Sequence, residues 1–351
     1  IIKVAIIKHL YDTPDERKSH HGVIPTLGGV GIFGGFIIGF CLFARFNMKS
    51  VEIKYVIAAL SFTFMLGAKD DIVELVANKK FIGQIFAASI VVILGDIRLT
   101  SLYGLFGVSM IGDIPSYILS IITIIFIVNA FNLVDGINLL AGSIGIVSTV
   151  TFGTWFIFNA FFDYAILAAA MSGALFAFLK YNYTPAKIFM GDSGSLTVGL
   201  LVSVLAIQFI EKNEMVLAVN ESRHSLSHIT AAPAMAIAVL IIPLYDTLRV
   251  FTLRLLNKKS PFIADRNHIH HKLLDTGFSH LQATTILIIV NLLFIISTYL
   301  LQFLGNMYLM ILQLATATLL TFILFSIKSK KKIEPTKTEN TVLLSLEVDA
   351  H

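Results

Sequence analysis

Ile114-Pro-Ser-Tyr-Ile-Leu-Ser-Ile-Ile-Thr-Ile-Ile-Phe-Ile-Val-Asn-Ala-Phe131, continuing straight into Asn132-Leu-Val-Asp135-Gly136-Ile-Asn138, is the stretch that decides the fold. Its first part carries no charge and is apolar on every face, which suits a helix surrounded by hydrocarbon. About 20 such residues cross a bilayer. A barrel would instead show alternating segments of about 10 residues. The run ends abruptly in amides, an acid and a glycine, so a polar cluster sits where the helix leaves the membrane.

The pattern repeats along the chain. Further runs of spanning length lie near 24–44, 51–68, 82–97, 139–158, 163–180, 195–210, 230–250, 284–304 and 307–327. The opening Ile1-Ile-Lys-Val-Ala-Ile-Ile7 is too short to span. It reads as the end of a first helix reaching about His9, which makes eleven. The expectation is an all-α polytopic membrane protein, with one integral domain over 1–327 and a polar cytoplasmic tail over 328–351. Apolar residues make up 56% of the chain, charged ones 14%, and mean hydropathy is +0.83. A soluble domain has about 25% charged residues. The single cysteine, Cys41, excludes an internal disulfide and a cysteine metal centre.

Lys and Arg fix the orientation, because cytoplasmic loops carry an excess of both. With eleven helices, the loops at 8–22, 67–81, 129–140, 180–194, 249–283 and the tail from 328 share one side and hold nineteen of these cations. The opposite loops hold six. The first set is therefore cytoplasmic. All five polar clusters of the chain fall in it: Asp12 to Lys18 with His20 and His21, Lys69-Asp70-Asp71 with Glu74, Asn129 to Asn138, Gly191-Asp192-Ser193, and Asp265 to His271.

Each cluster admits a functional and a structural reading. Asp70 and Glu74 are four apart and would share a helical face. Like charges there need a cation, either a metal or Lys69, Lys79 or Lys80. Oxygen-only ligands fit Mg²⁺, and the structural alternative is an acidic helix end in solvent. Asn132, Asp135 and Asn138 recur every three residues, roughly along one helix side, suited to a uracil, to sugar hydroxyls or to helix–helix hydrogen bonds. Gly191-Asp192-Ser193 opens a helix, where backbone N–H groups suit phosphate and Asp192 suits a bridging metal; simple N-capping is the alternative. Its likeness to a serine-protease nucleophile is discounted, since it opens a membrane helix. His268-Ile-His270-His271 lacks the partners for a closed zinc site. With Arg266 it reads as a pyrophosphate clamp, or as a solvated basic loop. Lys18 would meet a lipid phosphate, with Thr26 and Gly28-Gly29 allowing close backbone approach, or the segment is only a positive-inside flank. Lys328 to Lys332 is a membrane-flanking anchor.

Taken together, and in this order, Asp12-x-Pro-x-x-Arg-Lys-x-His20, Pro25-Thr-Leu-Gly-Gly29, Asp70-Asp71 followed by Lys80, Asn132-Leu-Val-Asp135-Gly136, Met190-Gly-Asp192-Ser-Gly-Ser195 and His268-Ile-His-His271 resemble the polyprenyl-phosphate N-acetylhexosamine-1-phosphate transferase superfamily, over about residues 12–327. The histidine loop resembles the WecA/TagO branch, which uses UDP-N-acetylglucosamine. The chain departs from the pattern at Asn138, where the family usually has an aspartate. The resemblance implies an eleven-helix enzyme of the bacterial inner membrane that moves HexNAc-1-phosphate from a UDP-sugar to undecaprenyl phosphate and releases UMP, the first lipid-linked step toward teichoic acid, O-antigen lipopolysaccharide or another envelope glycan. It implies Mg²⁺, with Mn²⁺ as a substitute, held by Asp192 and Asn132. Catalytic roles fall to Asp70, Asp71 and Asp192. Substrate contacts fall to Lys18, Thr26, Lys80, Asn132, Asp135, Asn138, Arg266, His268, His270 and His271. Its partners would be lipid and nucleotide sugar, with no nucleic acid and a homodimer as one assembly open to it. Another UDP-HexNAc, or UDP-MurNAc-pentapeptide, is the alternative donor. A secondary transporter is the competing class, but it would place charges at mid-bilayer on broken helices paired in two halves.

Overall fold

The computed structural model describes residues 2, 11–12, 24–44, 51–219, 229–258 and 267–327. The expected end of a first helix near His9, and the tail from 328, lie outside the described residues. A two-residue antiparallel ladder pairs β1 (Tyr11–Asp12) with β2 (Ile24–Pro25). Twelve α-helices follow among the described residues. They are α1 (Gly28–Phe43), α2 (Ile53–Val73), α3 (Ala77–Ser89, extended by a π turn to Leu94) and α4 (Asp113–Val134). Next come α5 (Leu140–Phe158), α6 (Phe162–Asn182) and α7 (Gly191–Val219). The last five are α8 (Ala232–Val239), α9 (Ile241–Leu256), α10 (Ile269–Asp275), α11 (His280–Leu300) and α12 (Asn306–Ser326). Among the described residues seven helices are long and apolar enough to cross a membrane, or eight if the bent pair α8–α9 counts as one span. Each of the ten complete apolar runs holds a helix, although the first opens with β2.

α7 is the axis of the bundle. It is buried along almost its whole length, packed between α2, α4, α1 and α5. Its side chains Leu196, Val198, Leu201, Val202, Val204 and Leu205 are fully enclosed. The outer helices are the reverse: Leu319, Phe322 and Ile323 on α12 and Leu42 and Phe43 on α1 are exposed. Burial toward protein and exposed apolar surface toward lipid is the arrangement a bilayer favours.

Close backbone approach at the start of α7 sets where the site forms. Gly28 and Gly29 N–H groups donate to the Phe189 and Met190 carbonyls at 2.9 and 2.8 Å, zipping α1 to the segment before α7. A Cβ on Gly29 would fall 2.2 Å from the Gly194 nitrogen, and one on Gly67 of α2 would fall 2.5 Å from the Asp192 carbonyl oxygen. Only glycine fits at either crossing. The glycines near residue 28 thus approach the chain's own backbone.

The run at 230–250 differs from a simple span: it bends by 81° between α8 and α9. The cause is local. Pro243 has no N–H to give to the Val239 carbonyl. Asn291 of α11, fully buried, donates its amide to the Ala238 and Val239 carbonyls at 2.9 and 3.2 Å, so the freed acceptors are satisfied where no water reaches. Asn291→Leu should therefore lower stability by about 1–3 kcal/mol, read as a fall of several degrees in the thermal unfolding midpoint of the detergent-solubilised protein.

Candidate active site

The ends of α2, α3, α4 and α7 on one side of the bundle converge on one carboxylate. Asp192 lies in the first turn of α7, and its neighbours come from three other helices. Asn132 of α4 donates its amide to Asp192 Oδ1 and also reaches Ser195 Oγ at 3.0 Å. Lys80 of α3 places its ammonium against Asp192 Oδ2 and 3.0 Å from Asp70 Oδ2. Asp70 Oδ1 accepts the Leu75 N–H at 2.5 Å. One ammonium thus joins two carboxylates, and the sequence expectation of a cation beside Asp70 is met by Lys80.

Two other expectations are redrawn. α2 stops at Val73, and Glu74 turns out of the helix with φ +46°. Glu74 is exposed, so it does not share a helical face with Asp70. Asn132, Asp135 and Asn138 likewise do not run along one helix side: α4 ends at Val134, and the other two lie in the following turn.

Asp71 faces α7 itself. Its carboxylate accepts the Asp192 N–H at 2.7 Å, the Ser193 N–H at 3.1 Å and the Ser193 hydroxyl at 2.6 Å. That is an N-cap supplied by another helix, and it adds negative charge to the positive end of the dipole. Capping of α7 therefore falls to Asp71, with Ser193 as a donor to it. Thr26 lies against the same helix start, its carbonyl 2.1 Å from where a Cβ on Gly191 would stand.

The turn after α4 closes over this end. Asp135 accepts from the Gly191 N–H, but burial, reinforced by the nearby charges of Asp192 and Asp71, holds its carboxyl well above the ordinary carboxylate range. Asn138 is tied to α11: its N–H meets His280 Nδ1 at 3.4 Å, its carbonyl accepts from Thr284 Oγ1 at 2.9 Å, and its amide reaches Thr184 Oγ1 at 3.4 Å. Buried Asn182, which the sequence reading passed over, holds the turn from below. It accepts the Leu139 N–H at 2.6 Å and donates to the Ile188 carbonyl at 2.8 Å, linking the Asp135 turn to the approach to α7.

The histidines join the same site. His268 and His270 stack with centroids 5.5 Å apart and planes 11° apart, and His270 meets His271 at 4.3 Å. A Cβ on Gly136 would lie 2.3 Å from His270 Nε2, so the loop rests directly on the Asp135–Gly136 turn. Burial first, then neighbouring His271, holds the His270 imidazole well below its ordinary value, hence neutral at physiological pH. Its Nε2 is buried without a hydrogen-bond partner among the described residues. Four of the five polar clusters thus meet at one place. Lys18 and Arg266 lie outside the described residues.

The donor set is all oxygen apart from Lys80 and the imidazoles, and two carboxylates, Asp70 and Asp192, share that one ammonium, with Asp71 capping the adjacent helix start. Such a surplus of negative charge suits a divalent cation that keeps waters and takes one or two carboxylates. Among the described residues no three acids or histidines form a ready-made cage. Asp192 and Asn132 are already in contact, and the Asn132 amide turned by half a rotation presents its oxygen.

The raised Asp135 carboxyl has a consequence for stability. A carboxyl whose folded value exceeds its unfolded one, about 3.9, costs stability as pH rises from that value through the folded one. Asp135→Asn mimics the protonated form. It should raise the unfolding midpoint at pH 7, while the difference from wild type vanishes below about pH 4.

The fold and site define a polytopic membrane protein that gathers acids, amides, a lysine and histidines at one end of its helix bundle. The family described as glycosyl transferase family 4 matches residues 53–210. A Bacillus subtilis (strain 168) protein named probable undecaprenyl-phosphate N-acetylglucosaminyl 1-phosphate transferase is 28% identical over 327 residues, covering 92% of this chain and 83% of that one. A Salmonella typhi undecaprenyl-phosphate alpha-N-acetylglucosaminyl 1-phosphate transferase is 32% identical over 286 residues, 80% and 73% of the two chains. A Mycolicibacterium smegmatis decaprenyl-phosphate N-acetylglucosaminephosphotransferase is 29% identical over 294 residues, 78% and 71%. The chain belongs to glycosyl transferase family 4.

Proposed function

We propose that this protein transfers N-acetylglucosamine-1-phosphate from UDP-N-acetylglucosamine to undecaprenyl phosphate at the cytoplasmic face of a bacterial inner membrane, with Mg²⁺. A lipid-phosphate oxygen attacks the β-phosphorus. The bond from that phosphorus to the bridging oxygen breaks, and UMP leaves with the electron pair. The observation that carries the reading is the single Lys80 ammonium shared by Asp70 and Asp192, beside Asn132, the Asp71-capped start of α7 and the histidine loop.

Phosphoryl transfer needs positioning and charge neutralisation more than covalent help. Lys80 neutralises phosphate charge and keeps Asp70 and Asp192 from repelling each other. Both Asp70 oxygens are engaged, one by Leu75 N–H and one by Lys80, which favours orienting or deprotonating the lipid phosphate over acting as a nucleophile in a two-step route. Asp192 and Asn132 would hold Mg²⁺, which supplies charge neutralisation of the diphosphate when bound. Asp135, Asn138 and the histidines would contact the nucleotide sugar, and Arg266 its pyrophosphate. The names of the relatives support N-acetylglucosamine as the sugar. Purified protein incubated with undecaprenyl phosphate, Mg²⁺ and a panel of UDP-HexNAc donors, with lipid products weighed, should yield undecaprenyl-diphospho-N-acetylglucosamine as the main product. A heavier or deoxy sugar on the lipid would reassign the donor, and absence of any lipid product would refute the reading.

A further inference from the structure

Among the described residues, the most deeply enclosed acid outside the five clusters is Asp246, on α9 just past the bend, 2% exposed. An acid placed there in an apolar helix is costly and calls for partners. It has a full set. His268 Nδ1 lies 2.9 Å from Oδ2, the Ile269 N–H reaches both oxygens at 3.2 and 3.3 Å, and Arg249 Nη2 donates to Oδ1 at 2.8 Å. Arg249 also donates to the Asn267 carbonyl, so the acid and its arginine together grip three consecutive residues, 267 to 269.

Two consequences follow from chemistry. His268 stands at the N-cap of α10 and makes no side-chain capping bond of its own, so Asp246 serves as the cap from another helix. A carboxylate only accepts, so His268 Nδ1 must be the donor. His268 stacks on His270, and His270 bears on the Gly136 turn beside Asp135. A shift at Asp246 is therefore carried through two rings to the turn that covers α7.

We propose that Asp246 is a positioning residue for the transfer: it fixes the His268 tautomer and the seating of the histidine loop over the Asp135–Gly136 turn, with Arg249 as its counter-ion. The catalytic half of this rests on the function proposed above; the structural half does not. Partners that orient a functional histidine are typically worth about 10–100-fold.

The test uses purified full-length protein in four forms: wild type, Asp246→Asn, His268→Ala and the double variant. Asp246→Asn keeps size and one acceptor for Ile269, and so preserves the fold. The expected result is an Asp246→Asn kcat/KM about 10–100-fold below wild type, with KM rising for UDP-N-acetylglucosamine and unchanged for undecaprenyl phosphate. Mere loss of folded protein would lower kcat and leave both KM values alone, and that result would overturn the proposal. The double variant should be no worse than His268→Ala within about threefold, since the two act as a unit; multiplied effects would also overturn it. Hydrogen exchange supplies a readout independent of turnover. Amides of 267–275 should exchange faster in Asp246→Asn while those of α7 do not, and unchanged exchange there would defeat the positioning claim. A wild type that makes no lipid product would defeat the proposed function and leave the exchange result to decide the rest.

Discussion

Asp192→Asn should lower lipid-product formation about 10³-fold, with the protein still folded. The substitution keeps the shape of the side chain and a partner for Asn132 and Lys80, so packing around the first turn of α7 survives. What it removes is the one charge that Asn132 and Lys80 both address. Losing a single preorganised electrostatic group at a phosphoryl or acyl centre typically costs about 10²–10³-fold, and the loss of a metal-holding carboxylate belongs at the upper end. The signature is a collapse of kcat at an unchanged unfolding midpoint. A variant that keeps more than a tenth of wild-type turnover would remove Asp192 from the centre of the site.

Asp71→Ala should give the opposite signature, with stability falling first. Three donors close to the start of α7 lose their acceptor: the Asp192 and Ser193 amides and the Ser193 hydroxyl. Stranding buried donors that were bonded to a charge costs about 3–5 kcal/mol, or roughly 10 °C in the midpoint at 2–4 °C per kcal/mol. Activity should fall as well, because the first turn of α7 carries Asp192. Asp71→Asn, which keeps one acceptor, should recover part of the stability. Adjacent acids in the sequence thus separate into one that faces Lys80 and one that caps a neighbouring helix, and the pair of midpoints distinguishes them.

That separation marks the limit of what the linear sequence carries. The apolar runs gave the helices because hydrocarbon leaves the backbone no alternative, and the lysine and arginine bias put the clusters on one face before any coordinates. Asp192, Asn132 and Lys80 were brought together by the family resemblance, and they meet. The role of Asp71 was not, since its partners are backbone amides 121 and 122 positions away. Glu74 was misplaced because periodicity does not announce that α2 stops at Val73. The bend at Leu240 had a visible half, Pro243 inside an apolar run, and a hidden half, Asn291 some fifty residues on. Asp246 and Asn182 did leave a signal: each is a polar residue in or beside an apolar stretch, where its cost implies a partner. The sequence does not say which one.

The central claim is that these clusters form one site that moves a sugar phosphate, and not a bare sugar, onto a lipid phosphate. Its most direct test uses UDP-N-acetylglucosamine labelled with ³²P in the β-phosphate, undecaprenyl phosphate and the purified protein. The account predicts label in the extracted lipid and unlabelled UMP in the water phase. Label left in released UDP, with the sugar alone on the lipid, would contradict it.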